Sequence, residues 1–388
     1  MMKTRGLYIH IPFCVKKCDY CDFLSFPIRS ENGNICISEA LIGQYIQALI
    51  HEMKMVSADK IDTIFIGGGT PSVLTPQQMN RVFEGIFDSF VVSENCEFTI
   101  ECNPGTVTRE KLSLYRQAGA NRISLGMQSA IGRELKQLGR IHSAADFFDS
   151  YDLIRNLGFE NVNIDVMFSI PEQTKESYEK TLREVISREP EHISSYSLII
   201  EEGTPFFDRY GDCAPVDEKT DRWMYERTKE ILNRAGYIRY EISNYAKKGY
   251  ECAHNKKYWQ REEYLGLGLG AASFLQNDGR SERFSNVTDL SLYCERIKKG
   301  ELPVEGGSRE ILLTEDERAE FMFLGLRCME GVSMEDFVRC FHLPIMVCFG
   351  KEIQACMEQG LMIQQGDRLR LTDRGIDVSN RVFSMFLP

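Results

Sequence analysis

The sequence predicts an α/β protein: a partial (β/α)6 barrel followed by a small C-terminal domain of helical, winged-helix-like outline. Three observations carry this. Six apolar, strand-like runs recur between residues 6 and 200. Stretches of helical period separate them, the pattern of a parallel sheet with crossover helices. Most of the runs end in, or just before, a residue that a buried strand has no packing reason to carry, as the rim of a barrel active site requires.

The runs are GLYIHI (6–11), DTIFI (62–66), EFTIE (97–101), RISLG (122–126), NVNIDVMF (161–168) and HISSYSLII (192–200). Helical spacing covers 39–56, 76–90, 108–118, 143–157 and 175–187 between them, and 216–235 after the last. Residues 1–235 are therefore assigned to the barrel. A bridging segment, 236–305, holds a strand (GYIRYEIS), a glycine-rich stretch at 264–273 and a polar tract that reads as turns or linker from 277. Residues 306–388 form the C-terminal domain: helical from about 314, then two short strands about Gln365-Gly366-Asp367, then a final helix.

With 388 residues, 43% hydrophobic and 27% charged, the chain can bury a large core in two domains. It has no apolar run long enough to span a bilayer. The first strand begins at Gly6, which leaves no room for a leader, so a cytoplasmic protein is expected. There the thirteen cysteines are free thiols, metal ligands or redox groups. A formal charge of −11 argues against nucleic acid or anionic membrane as a bulk partner.

After the first strand come Cys14, Cys18 and Cys21; after the second, Gly67-Gly68-Gly69-Thr70-Pro71. The third ends at Glu101, the fourth is followed by Gln128, and the fifth carries Asp165. Either carboxylate alone is an ordinary satisfied hydrogen-bonding group. Several such groups at one end of successive strands form a rim. Three cysteines allow three readings. Zinc requires a fourth ligand, with His10 nearest. Cys18 and Cys21 alone read as a redox pair. An iron–sulfur cubane, ordinarily held by four thiolates, would have one iron open to a substrate or cofactor.

The Cx3Cx2C spacing directly after the first strand, with a glycine-rich turn after the second, resembles the radical S-adenosylmethionine (SAM) superfamily. The likeness is closer through YIHIPFC, GGGTPS, ECNPGT, SLGMQS, LGRIHS, NIDVMFSIP, EYLGLGLGAASF and LTDRGIDVSNRVFSMFL. These are similar to the oxygen-independent coproporphyrinogen III oxidase-like group and, within it, the HemW-type heme chaperones. The resemblance implies a [4Fe–4S] cluster on Cys14, Cys18 and Cys21 with SAM on the open iron. It implies Tyr8 against the sulfonium and Tyr20 beside the adenine. Gly68, Gly69 and Thr70 would hold the methionine end, with Glu101 near its amino group. Gln128, Arg140 and Asp165 would complete the pocket.

Oxidases of this group carry a further cysteine after the cluster motif, where this chain reads Cys21-Asp22-Phe23, and an N-terminal extension. HNKKYW (254–259) matches the HNxxYW motif linked by resemblance to heme binding, which places His254, Asn255, Tyr258 and Trp259 in a heme site. The expectation is a heme chaperone that passes heme to an acceptor protein, with an electron donor as a further partner, homodimerisation open and no decarboxylase activity. The alternative is a coproporphyrinogen III oxidase in porphyrin biosynthesis; a radical SAM enzyme acting on RNA ranks below both. One departure stands out: Ala272 replaces a histidine common in relatives.

Overall fold

The computed structural model describes residues 4–29, 36–56, 60–211, 213, 215–277 and 279–388. The first half is six strand–helix repeats: β1 (Thr4–Ile11), α1 (Glu39–Met55), β2 (Lys60–Gly68), α2 (Pro76–Ser89), β3 (Val91–Cys102), α3 (Arg109–Gln117), β4 (Arg122–Gln128), α4 (Gly132–Gln137), α5 (Ala144–Asn156), β5 (Asn161–Phe168), α6 (Lys175–Ile186) and β6 (His192–Ser197). α7 (Pro205–Tyr210) and α8 (Glu218–Arg234) follow. The helices start where side-chain caps allow. Thr75 and Gln78 form a capping box at α2, with Pro76 in the first turn, and Ser143 and Asp146 form one at α5.

β1 to β6 run parallel and in chain order. Alternation along each strand divides the residues between two environments. Leu7, Ile9 and Ile11, with Ile64, Ile66, Ile100, Leu125 and Ile164, join helix residues such as Ile42, Ile46 and Leu49 in the main core. The alternate positions include Tyr8, His10, Phe65, Glu101 and Asp165, the residues that build the site.

The bridging segment extends this sheet. It comprises β7 (Ile238–Arg239), β8 (Asn244–Ala246), α9 (Ala253–Trp259), β9 (Tyr264–Leu267), β10 (Ala272–Asn277), β11 (Arg280–Ser285), α10 (Leu290–Lys298) and β12 (Glu310–Ile311). Among the described residues the strand order is β12-β11-β10-β9-β1-β2-β3-β4-β5-β6-β8-β7. The glycine-rich stretch therefore supplies β9, which pairs parallel with the free edge of β1. Gly266 is required there, since a Cβ would lie 2.0 Å from the Ala272 carbonyl oxygen. The tract expected to be turns or linker from 277 is corrected: it contains β11 and α10. Leu290, Tyr293 and Ile297 give α10 a buried face at helical spacing, but the charged residues between them hide it in composition.

Glu52 fastens the bridging segment to α1. Only 2% exposed, its carboxylate accepts from Gly268 N at 2.8 Å, the Tyr293 hydroxyl at 2.6 Å and Asn286 Nδ2 at 2.6 Å.

The C-terminal domain has its own core, with Phe337, Ile353, Leu369 and Val382 at its centre. Its elements are α11 (Thr314–Gly325), β13 (Val332–Ser333), α12 (Met334–Phe341), α13 (Ile345–Glu358), β14 (Met362–Gln365), β15 (Arg368–Leu371), α14 (Asp373–Asp377) and α15 (Ser379–Ser384). β15 lies between β13 and β14, a winged-helix-like arrangement. Among the described residues no helix is long and apolar enough to cross a membrane.

Glu52→Ala strands three donors and lowers the unfolding free energy by about 3 kcal/mol in urea titrations. Burial raises the Glu52 pKa from 4.5 to about 7 in the folded state. A raised folded-state pKa gives a contribution complete below pH 4.5 and lost as pH rises through about 7. The gap between wild type and variant narrows across that window.

Candidate functional site

β1 ends at Ile11, and the chain then makes a short parallel pairing, Phe13–Cys14 with Phe26–Pro27, that closes the base of the cysteine loop. Ile28 N donates to Cys14 O at 2.7 Å, and Cys21 N to Cys18 O at 3.2 Å. At its far end the loop is pinned on two sides. Asp19 N donates to Leu138 O at 3.2 Å, and Phe206 N to Asp19 O at 3.0 Å. Gly139, at φ 71°, passes so close that a Cβ would lie 2.5 Å from the Asp19 carboxylate.

The turn after β2 packs against this loop. Gly69 N donates to Ile11 O at 2.9 Å and Thr70 N to Phe13 O at 2.8 Å. Gly68 has φ 104° and lies against the His10 ring, where any Cβ would clash. Its N–H reaches Glu101 Oε2 at 3.1 Å. At the end of β4 the register with β5 shifts between Gly126 and Gln128, and Gln128 takes φ 64°. A bulge of this kind re-aims a side chain, here towards the cleft.

Cys14, Cys18, Cys21, Tyr20, Gly68, Gly69, Thr70, Glu101, Gln128, Arg140 and Asp165 thus line one cleft of about 120 Å³ that opens to solvent. Tyr8 is not among its lining residues, and its hydroxyl is hydrogen-bonded to His10 Nδ1 at 2.9 Å. His10 Nε2 is engaged by Leu24 O at 2.8 Å, which takes His10 away from the cysteines as a zinc ligand. Among the described residues no three His, Cys, Asp or Glu side chains converge on one metal ion. A cubane does not need such convergence, because each thiolate binds a different iron.

The donor set fits such a cluster. Burial pushes the Cys21 thiol up to about 11, opposed by the Phe23 N–H, and the neighbouring Cys18 and Cys14 add to the rise. Burial likewise raises Cys14, against hydroxyls of Thr70 and Ser25. Thiols gathered in this way become thiolate ligands when a cationic centre joins them. Arg140 supplies fixed positive charge beside them. It donates to Cys18 Sγ at 3.7 Å, to Gly126 O at 2.7 Å and to Asn103 Oδ1 at 3.1 Å. Asn103 Nδ2 donates to Thr70 Oγ1 at 2.8 Å, and Thr70 to Cys14 Sγ at 3.4 Å. One guanidinium therefore reaches two of the three sulfurs, one directly and one by relay. Its Nε is buried without a partner.

Glu101 and Asp165 lie on the same wall. Burial raises Glu101 to about 8, Asp165 adds to the rise, and the Gly68 N–H opposes it. Asp165, also raised by burial, is held by Asn163 Nδ2 at 2.7 Å and Ser124 Oγ at 3.4 Å. Such carboxyls can accept from an amine or from vicinal hydroxyls. Phe23 lines the cleft with its ring 62% exposed. Asn103, Ser124 and Gly126 also line the cleft, and sequence reasoning missed all three. Asn103 was within reach there, two residues beyond Glu101 in ECNPGT.

The four HNKKYW residues do not line one common cavity. The Glu97 carboxylate on β3 caps α9, accepting from Ala253 N and His254 N at 2.9 Å each. His254, 1% exposed, lies inside the barrel and stacks on Phe65 at 5.3 Å. Its Nδ1 bonds Thr63 Oγ1 and its Nε2 the Tyr258 hydroxyl, both at 2.8 Å. Burial, then Lys257 and Arg122, lowers its pKa to about 3, so the ring is neutral. Tyr258 and Trp259 line a separate cavity of about 350 Å³ against Phe323 and Leu324 of α11; neither His254 nor Asn255 lines it. Arg327 stacks over Trp259 at 4.2 Å.

The radical SAM superfamily model matches residues 8–185, and the HemN C-terminal domain model matches 312–378. Over 390 aligned residues the chain is 34% identical to heme chaperone HemW of Lactococcus lactis, covering 100% of this chain and 98% of the relative. It is 33% identical to heme chaperone HemW of Escherichia coli, covering 98% of each. The fold is similar to that of the coproporphyrinogen III oxidase HemN of Escherichia coli: TM-score 0.84 over 99% of this chain and 90% of that one, at 20% identity.

A Cβ on Gly69 would meet the backbone carbonyl oxygens of Ile11 and Phe13 at 2.8 Å, and neither can retreat. Gly69→Ala therefore costs about 2 kcal/mol in chemical denaturation. His254→Ala removes two buried hydrogen bonds and a ring stack, and costs on the order of 3 kcal/mol by the same measurement.

Proposed function

The chain belongs to the HemW family of the radical SAM superfamily, and from that membership we propose that it is a heme chaperone, receiving heme and delivering it to an acceptor protein. The carrying observation is similarity at 30% or more over essentially the full length of proteins named as heme chaperones. Phe23 supports it, since the position where the oxidases carry a further cysteine presents an exposed phenyl ring at the cleft. The likeness to HemN, at 20% identity, reports a shared fold and does not favour the oxidase.

Cys14, Cys18 and Cys21 would hold a [4Fe–4S] cluster, leaving one iron for the amino and carboxylate groups of SAM. When bound, the pair supplies single-electron chemistry. The chain's own residues set the conditions for it. Arg140 keeps positive charge against the thiolate loop and is able to pair with a carboxylate. The turn at Gly68 to Thr70 exposes backbone where no side chain obstructs it. Glu101 and Asp165 offer acceptors for an ammonium and for ribose hydroxyls, Gln128 extends from its bulge, and Tyr20 brings an aromatic face. Tyr8, tied to His10, backs the turn from the barrel interior. The resemblance assigns His254, Asn255, Tyr258 and Trp259 to heme. Such a role for His254 requires its bonds to Thr63 and Tyr258 to open.

Anaerobic reconstitution should load about four irons and four sulfides per chain. Cys14→Ala, Cys18→Ala or Cys21→Ala each removes that loading. One zinc without sulfide would overturn the cluster. Hemin titration beside a coproporphyrinogen decarboxylation assay decides the function: heme bound without vinyl product supports the chaperone, and vinyl product overturns it.

A further inference from the structure

Each oxygen of the Asp165 carboxylate already holds one donor: Asn163 Nδ2 on Oδ1 at 2.7 Å and Ser124 Oγ on Oδ2 at 3.4 Å. The Asn163 amide also donates to Ser124 Oγ at 2.8 Å, so one side chain governs both contacts. What holds that amide lies on the next strand. β5 and β6 pair Asn163 with His192 and Asp165 with Ser194. His192 Nδ1 lies 2.6 Å from Asn163 Oδ1, and Ser194 Oγ donates to the same oxygen at 3.1 Å. The other ring nitrogen, Nε2, lies 2.8 Å from the Tyr240 hydroxyl, which accepts from Cys252 N at 3.3 Å. Cys252 is the N-cap residue of α9.

These contacts admit one direction of donation. His192 is fully buried, and burial, then Arg122, hold its pKa well below the usual imidazole range. The ring is therefore neutral and carries a single N–H. Asn163 Oδ1 can only accept, so that proton sits on Nδ1. Nε2 is left as an acceptor, and the Tyr240 O–H donates to it. The partner on one ring nitrogen thus selects the tautomer presented by the other. Donation runs from Cys252 N–H to Tyr240, from Tyr240 to His192, from His192 to Asn163, and from Asn163 to Asp165. A buried chain of this kind is polarised along its length, and it ends on a carboxylate that lines the cysteine cleft.

We propose that His192, its tautomer fixed by Tyr240, is a positioning residue that holds the Asn163 amide so that Asp165 turns its remaining lone pairs to the ribose hydroxyls of SAM. The proposal rests on the reading of the cleft as a SAM site and adds the residues that orient one of its acceptors. A carboxylate has about four lone-pair sites, and Asn163 and Ser124 take two of them. With Nδ1–H removed, the amide keeps only the longer bond from Ser194 and is free to turn, and the carboxylate turns with it.

The test is equilibrium dialysis of SAM against anaerobically reconstituted full-length protein, with iron, sulfide and urea stability measured on the same samples. His192→Phe keeps a ring but loses both bonds, and should weaken SAM binding about fivefold or more at unchanged cluster loading. His192→Asn sets an amide N–H where Nδ1–H stood, and should hold SAM affinity within about twofold of wild type. Tyr240→Phe leaves the ring in place but releases its proton to Nε2, and should weaken SAM binding about twofold to threefold. In an Asp165→Asn background His192→Phe should add no further loss, because it acts through that carboxylate. If SAM affinity falls in step with urea stability across the three variants, or the losses at His192 and Asp165 simply add, the role is structural and the proposal fails. Should His192→Phe not fold, Tyr240→Phe at wild-type affinity overturns it equally. If Asp165→Asn weakens SAM binding while the His192 and Tyr240 variants match wild type, the SAM site stands and the positioning role is lost. If wild type loads its cluster but binds no SAM, or binds it equally well with Asp165→Asn, the reading of the cleft itself falls.

Discussion

β1 is hydrogen-bonded along both edges, to β2 on one side and β9 on the other. Much of the molecule hangs on that double pairing. It makes a strand near the N-terminus an interior strand of the sheet, so Leu7, Ile9 and Ile11 can be fully buried. It also fixes the point where the chain leaves the sheet, three residues before Cys14. The cysteine loop inherits its position from there and is then held by the Gly69–Thr70 turn and the Leu138–Gly139 segment. β9 comes from the bridging segment, so a part of the chain remote in sequence anchors the strand that launches the site. Glu52 secures the same join from the helix side, binding Gly268, Asn286 and Tyr293 together.

The chemistry at the barrel mouth follows from charge held where water is scarce. Three thiols and two raised carboxylates share the cleft with one guanidinium, which forms hydrogen bonds to a sulfur, an amide and a backbone carbonyl at once. Such a group is costly to bury and costly to move, because displacing it would strand several acceptors. That explains why Asn103 and Thr70 lie between Arg140 and Cys14, passing the same polarity to a second sulfur. The opposite part of the barrel interior is organised differently. There His254, Thr63 and Tyr258 form a closed neutral network capped by Glu97, and Trp259 meets Arg327 next to the C-terminal domain. Two arrays within one barrel thus have opposite character: one charged and open, the other neutral and sealed.

Most of the cleft could be read from the sequence because its residues follow directly on strand ends. Cys14, Gly68, Glu101, Gln128 and Asp165 needed only the alternation of strand and helix to be placed on one rim. Arg140 required the family resemblance, since nothing local distinguishes it from a surface arginine after a short helix. Ser124 was hidden because single polar residues are common in such positions. β9 and α10 were obscured for other reasons. Glycine breaks the β-propensity signal of β9, and the buried face of α10 is only three residues wide. The HNKKYW segment shows the limit of spacing arguments: its helix is real, yet His254 and Trp259 lead to different surroundings.

The sequence by itself determined the alternating α/β architecture, the cysteine loop and the rim of polar residues, because each depends on local periodicity or on position within a strand. Only the tertiary structure decided that the bridging segment completes the sheet and that His254 is sealed between Thr63 and Tyr258. Those outcomes depend on which surfaces meet. A histidine reads alike in sequence whether its nitrogens face a partner or solvent, and the choice is made by strands and helices remote from it in the chain.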